Sequence, residues 1–110
     1  MTTNAPYGAI GTITIAATGT SAVTITNYET TVDALTTLTG NATLDITVDS
    51  QVKAGAKLYL KVKTTATETF TFGTGIDAPT VTGVAGKTWC QGFWYDGTTF
   101  LPMGAKIQID

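Results

Sequence analysis

Apolar and polar residues alternate with a period of two through most of this chain, and that period admits strands and little else. In "GTITIAA", Ile13 and Ile15 share one parity and Thr12 and Thr14 the other. "AVTITN" sets Val23 and Ile25 against Thr24 and Thr26, and "ATLDITV" sets Leu44, Ile46 and Val48 against Thr43, Asp45 and Thr47. "KLYLKVK" sets Leu58, Leu60 and Val62 against Lys57, Tyr59, Lys61 and Lys63, and "TFTF" sets Phe70 and Phe72 against Thr69 and Thr71. Successive strand side chains point to opposite faces, so each run predicts a strand with one buried face. Helical signals are almost absent, because Thr, Val, Ile and Gly are poorer helix formers than Ala or Leu. Tyr28 to Leu35, "YETTVDAL", is the one stretch that reads as a turn of helix, and a short one.

Turn signals fall between the runs. "TGNA" (Thr39–Ala42) predicts a tight hairpin joining Thr36–Leu38 to Ala42–Val48. "YDGT" (Tyr95–Thr98) carries the Asp-Gly pair that a two-residue type I′ turn requires. "KAGAK", "GTGIDAP" and "VAGK" supply further breaks. About eight short antiparallel strands at roughly ten-residue spacing predict an all-β domain, a β-sandwich or jelly-roll-like fold or a small barrel. Residues 1–8, with Asn4, Pro6 and Gly8, read as an extended N-terminal arm, and residues 9–110 as the domain. The final "KIQID" alternates like a strand and is expected to be pinned in a sheet. No 20–50-residue repeat is visible in the sequence.

Composition narrows the function. The 110 residues suit one domain. Charged residues are only 13% of the chain, about half the usual share, and threonine takes their place, as suits an exposed sheet face. The net charge is −2 and every one of the six positive residues is lysine. Without arginine or a basic stripe, nucleic-acid binding is not expected. The single cysteine, Cys90, excludes an internal disulfide. No apolar run approaches the ~18 residues of a membrane span, and "MTTNAPYG" lacks the pattern of a secretory leader, so synthesis in a cytoplasm is expected.

Catalytic chemistry finds few candidates. The chain has no histidine, which removes the commonest general base and metal ligand together. Ser21 and Ser50 do not sit in a nucleophile elbow, and Cys90 has no histidine to activate it. Asp45 and Asp49 share a parity and can meet a hard cation, but calcium wants six to eight oxygens, and a solvated surface accounts for the pair. "FGTGIDAP" and "GAIGTI" lack the lysine–hydroxyl pair of a phosphate loop. The reading is a non-enzyme without metal or cofactor. Lys53, Lys57, Lys61 and Lys63 crowd into eleven residues, either a solvated strand face that resists unwanted pairing or a face for an acidic partner.

"TWCQGFWYDGTTFLP" holds both tryptophans. Alternation places Trp89, Gln91, Phe93 and Tyr95 on one face and Cys90, Gly92 and Trp94 on the other. Gly92 is a candidate bulge. Trp94 points away from a one-sided core, which leaves three readings: cover by the N-terminal arm, a subunit interface, where tryptophan is enriched, or stacking on a sugar or peptide.

The order "LTGNATLDITV", "GAKLYLKVK", "FTFGTG", "APTVTGVAGKT", "FWYDGTTFLPMG" resembles a β-rich module of tailed-phage virion proteins, over about Leu38 to Gly104. The resemblance implies a sandwich or jelly-roll-like structural protein without catalysis, often a homotrimer. Phe93 and Tyr95 then face the core, and Trp94 stands where the family carries a small polar residue. The chain is short and lacks a repetitive shaft, which favours an auxiliary (decoration) protein that binds and stabilises a phage capsid. Its partners would be the major capsid protein or other virion proteins, and its location the virion, after synthesis in the bacterial host. The alternative is a glycan- or receptor-binding module of a head or tail fibre, with Trp94, Tyr59 and Trp89 stacking. Candidate interface residues are Trp94, Trp89, Tyr59, Lys61, Lys63, Pro6 and Tyr7.

Overall fold

The computed structural model describes residues 10–33 and 35–110, which form eleven strands and, among themselves, no helix. The expected N-terminal arm, with Pro6 and Tyr7, lies outside the described residues. The larger sheet holds seven strands: β1 (Ile10–Ile13), β3 (Glu29–Val32), β4 (Thr36–Leu38), β6 (Lys57–Thr64), β9 (Thr88–Tyr95), β10 (Phe100–Pro102) and β11 (Ile107–Gln108). The smaller sheet holds four: β2 (Gly19–Ile25), β5 (Ala42–Val48), β7 (Thr69–Phe72) and β8 (Val81–Thr82).

The all-β expectation holds, but the pairing differs from an antiparallel arrangement of about eight strands. The chain passes repeatedly from one sheet to the other, and each pass lies parallel on the one before. β1, β3 and β6 are parallel neighbours in the larger sheet, and β2, β5 and β7 in the smaller. Register sets Ile10 beside Glu29 and Glu29 beside Lys57, so successive windings are offset by 19 and then 28 residues. Windings of such unequal length leave no sequence repeat to see. Antiparallel pairing enters only afterwards, where β8 returns on β7, β9 on β6, and β10 and β11 on β9.

The expected hairpin at "TGNA" does not form. β4 pairs with β6 and β5 with β2 and β7, so the link crosses between sheets. Its backbone bonds go to neighbouring windings instead. Thr39 N donates to Ala17 O at 2.9 Å, Gly19 N donates to Asn41 O at 3.0 Å, and Asn41 Oδ1 accepts from Thr69 N at 2.9 Å. "YETTVDAL" is corrected likewise: Glu29–Val32 is β3, drawn into the ladder between β1 and β6.

The inward parities are those the alternation marks. Ile13, Ile25, Leu44, Leu58, Val62, Phe70, Trp89 and Phe93 belong to one buried cluster fed by both sheets. Rings bridge the layers: Phe70 on β7 meets Trp89 on β9 edge-on at 5.6 Å, and Phe72 lies 5.2 Å from Phe93. Such pairs add roughly 0.5–1.5 kcal/mol each beyond the area they bury. At the end of the chain, β11 pairs with β9 and Thr88 N donates to Asp110 Oδ1 at 2.6 Å, so the "KIQID" segment is pinned as expected.

The Asp-Gly turn joins β9 to β10, but with four linking residues, because Tyr95 pairs with Phe100. Only Gly97 has positive φ there, at 101°, whereas a type I′ turn needs two such residues. Asp96 is the organiser: its Oδ1 accepts from Thr98 N and Thr99 N, each at 2.8 Å. The Thr99 and then the Thr98 amide hold the exposed Asp96 carboxyl below its ordinary pKa. Glu68 is held low in the same way, chiefly by the Ala66 amide. A folded-state pKa below the unfolded one stabilises above the unfolded value, and that stability is lost as pH falls through the folded value. The denaturation midpoint is therefore expected to drop below about pH 4, near the ordinary carboxylate pKa, and Asp96→Asn to flatten that drop in a pH series of melts.

Candidate interaction surface

The outer face of the larger sheet is set by the same parities. β6 and β9 are antiparallel, with Lys57 opposite Trp94, Tyr59 opposite Gly92, Lys61 opposite Cys90 and Lys63 opposite Thr88. The ladder runs one-to-one past Gly92, so the expected bulge is absent. The glycine has another use. A Cβ there would lie 2.7 Å from Met103 Cε and 3.5 Å from Tyr59 Cδ1, so Tyr59 and Met103 close over the bare backbone from either side.

Three rows result. Trp94 lies between Lys57 and Leu101, Tyr59 and Met103 meet over Gly92, and Cys90 lies between Lys61 and Ile107. Trp94 is 40% exposed, Tyr59 39%, Met103 47% and Ile107 62%. Single exposed apolar residues are ordinary, but four in adjacent rows of one sheet form a patch. Next to it β3 leaves β6 after Tyr59 and β4 rejoins at Val62, which opens a groove of about 520 Å³ lined by Val32, Asp33, Leu35, Tyr59, Leu60 and Lys61.

Trp94, Tyr59 and Lys61 are therefore brought together on one exposed face, with half-buried Lys63 on the same strand. Trp89 is not: it is 2% exposed, inside the core, because its parity is that of Phe93. Its presence among the interface candidates is corrected. Pro6 and Tyr7 lie outside the described residues. Met103, Leu101, Ile107 and Leu35 were not marked by the sequence. Met103 follows a proline in what reads as a loop, and Ile107 looks like an inward strand residue until its partner, outward-facing Cys90, is known.

The carboxylates of Asp45 and Asp49 accept from backbone amides. Asp45 Oδ1 accepts from Thr74 N at 2.8 Å and Asp49 Oδ1 from Gln51 N at 2.9 Å, and no cluster of three metal-ligating side chains occurs among the described residues. No helix long and apolar enough to cross a membrane occurs among them either. The face offers apolar area, two amphipathic rings and flanking lysines, which suits adhesion. No family model, curated protein or solved structure matches the chain.

Proposed function

We propose that the chain is a structural virion protein, an auxiliary protein that docks on the capsid of a tailed phage through the outer face of its larger sheet. The observation that carries the reading is the exposed row arrangement of Trp94, Tyr59, Met103 and Ile107 on one sheet face. The resemblance of residues 38–104 to virion modules supplies the setting. Aromatic anchors of this kind dominate protein interfaces, and truncating one at the centre of a patch costs about 2 kcal/mol or more of binding. Many copies on one particle multiply a modest affinity through valency. Docking would be apolar in its centre, with Lys57 and Lys61 steering at its rim.

The test is occupancy on purified particles. Trp94→Ala and Tyr59→Ala should each weaken binding by tenfold or more, while the free protein stays folded with a modestly lower denaturation midpoint, since both side chains lie outside the core. Undiminished occupancy of the double variant overturns the docking surface. A copy number of a few per particle, rather than hundreds, would move the protein from the capsid to a fibre or tail.

A glycan-binding module is the second reading. It is favoured by the groove beside Tyr59, whose volume falls within the range of small-ligand sites. A glycan array decides it: binding that disappears in Tyr59→Ala supports this reading, and no binder on the array removes it.

A further inference from the structure

Both sheets end on the same side of the winding, in β1 and in β2. Among the described residues neither strand has a partner on its outer side. Natural proteins usually protect such edges with short strands, prolines, bulges or charges. The opposite edges here obey that rule. β8 has two residues and follows Pro79, β10 has three and ends in Pro102, and β11 has two.

β2 breaks the rule. It has seven residues, "GTSAVTI", without charge or proline, and its register with β5 is one-to-one throughout, so no bulge bends it away. β1, "IGTI", is equally bare. No charged residue occurs before Glu29, so neither β1 nor β2 carries a charge, and the charge beside β2 in the ladder is Asp45 of β5, next to Ala22. The outward groups of β2 can be assigned. Gly19 N donates to Asn41 O and Ile25 O accepts from Asp49 N, so residues of that parity face β5. In a parallel ladder the other parity, Thr20, Ala22 and Thr24, turns its N–H and C=O to the open side. The side chains of these three residues are exposed.

We infer that this edge joins two copies of the chain, in place of the trimer that the resemblance implies. β2 of one copy pairs with β2 of the other about a two-fold axis, and the smaller sheet continues through both, with β1 extending the larger sheet beside it. A two-fold axis makes the pairing self-complementary and antiparallel, the stronger of the two ladder patterns. With Ala22 on the axis, Thr20 of each copy opposes Thr24 of the other, and the outward-facing groups all find partners. The absence of charge is what selects a second copy: the edge has nothing to repel itself and nothing to attract an acidic or basic partner. The competing occupant is the segment that precedes β1, and a truncation separates the two below. The inference is independent of the docking face, which uses other residues.

Sedimentation equilibrium of the full chain tests it. The mass should rise with concentration from the 11.4 kDa of one chain to twice that value. Thr20→Lys combined with Thr24→Lys sets a lysine of each copy directly opposite a lysine of the other, and Ala22→Pro removes an outward N–H without breaking a bond to β5. Each should hold the protein at monomer mass over the same range, with an unchanged circular dichroism spectrum. Trp94→Ala should still form the pair. If Ala22→Pro does not fold, the Thr20→Lys/Thr24→Lys variant carries the test. A parent chain that is monomeric throughout, or that reaches three times the single mass, overturns the pairing, as does a dimer that survives the Thr20→Lys/Thr24→Lys variant. A chain that dimerises only after residues 1–9 are removed overturns it in favour of its own N-terminal segment.

Discussion

Phe93→Ala is expected to destabilise the protein by about 3–5 kcal/mol, the range for deleting a buried ring without full collapse of the cavity. Phe93 is fully buried at the centre of β9 and packs 5.2 Å from Phe72, across the gap between the two sheets. Its loss removes apolar burial and the ring pair together, and the backbone cannot close the gap. β9 is held by β6 on one side and by β10 and β11 on the other. The domain has a typical margin of only 5–15 kcal/mol, so the denaturant midpoint should fall by a large fraction of its value. The neighbour Trp94 provides the control. One residue further along the same strand and 40% exposed, its truncation should lower the midpoint by much less and affect binding. Equal losses for both would contradict the assignment of faces.

Gly75→Ala is expected to cost roughly 2–5 kcal/mol, combining the left-handed penalty of ~1–2 kcal/mol with the overpacking cost of ~1–3 kcal/mol. Gly75 has φ of 77°, and a Cβ there would press on the backbone carbonyl of Ile46, with Ile46 C at 3.1 Å. Neither partner can swing aside as a side chain would. The position matters because here the chain ties the two sheets together. Thr74 O accepts from Ile46 N of β5 at 2.8 Å, and Gly75 O accepts from Phe100 N of β10 at 3.0 Å. A shift of this segment loosens both bonds. Gly97→Ala makes the comparison: it has φ of 101° but only Ala54 Cβ near, at 3.7 Å, so it should cost the backbone term alone. Thermal melts of the two variants should separate by the overpacking term.

Much of the site was legible before the structure. Trp94 and Tyr59 stood out because each occupies the polar parity of its strand, and both are exposed on one face. Trp89 had the opposite parity in the same run, so its own alternation already argued for the core over the interface. Met103 and Ile107 were not legible. Each reaches the patch only through a partner distant in sequence, and neither has a local pattern that marks it as outward. The role of Gly92 was hidden for the same reason, since what fills the space above a glycine belongs to other strands.

The sequence by itself determined the inward parity of the longer alternating strands, because side-chain alternation follows from the geometry of each extended segment alone, whereas Ile107 in the short last strand turned outward. It determined the all-β class as well. Only the tertiary structure decided which strands lie beside which, and in which direction. Backbone hydrogen bonds hold a ladder together and are nearly indifferent to side-chain identity, so "TGNA" bonds to neighbouring windings as readily as it would close a hairpin. The parallel winding, the gathering of Tyr59, Trp94 and Met103, and the bare edge at β2 all depend on those long-range bonds.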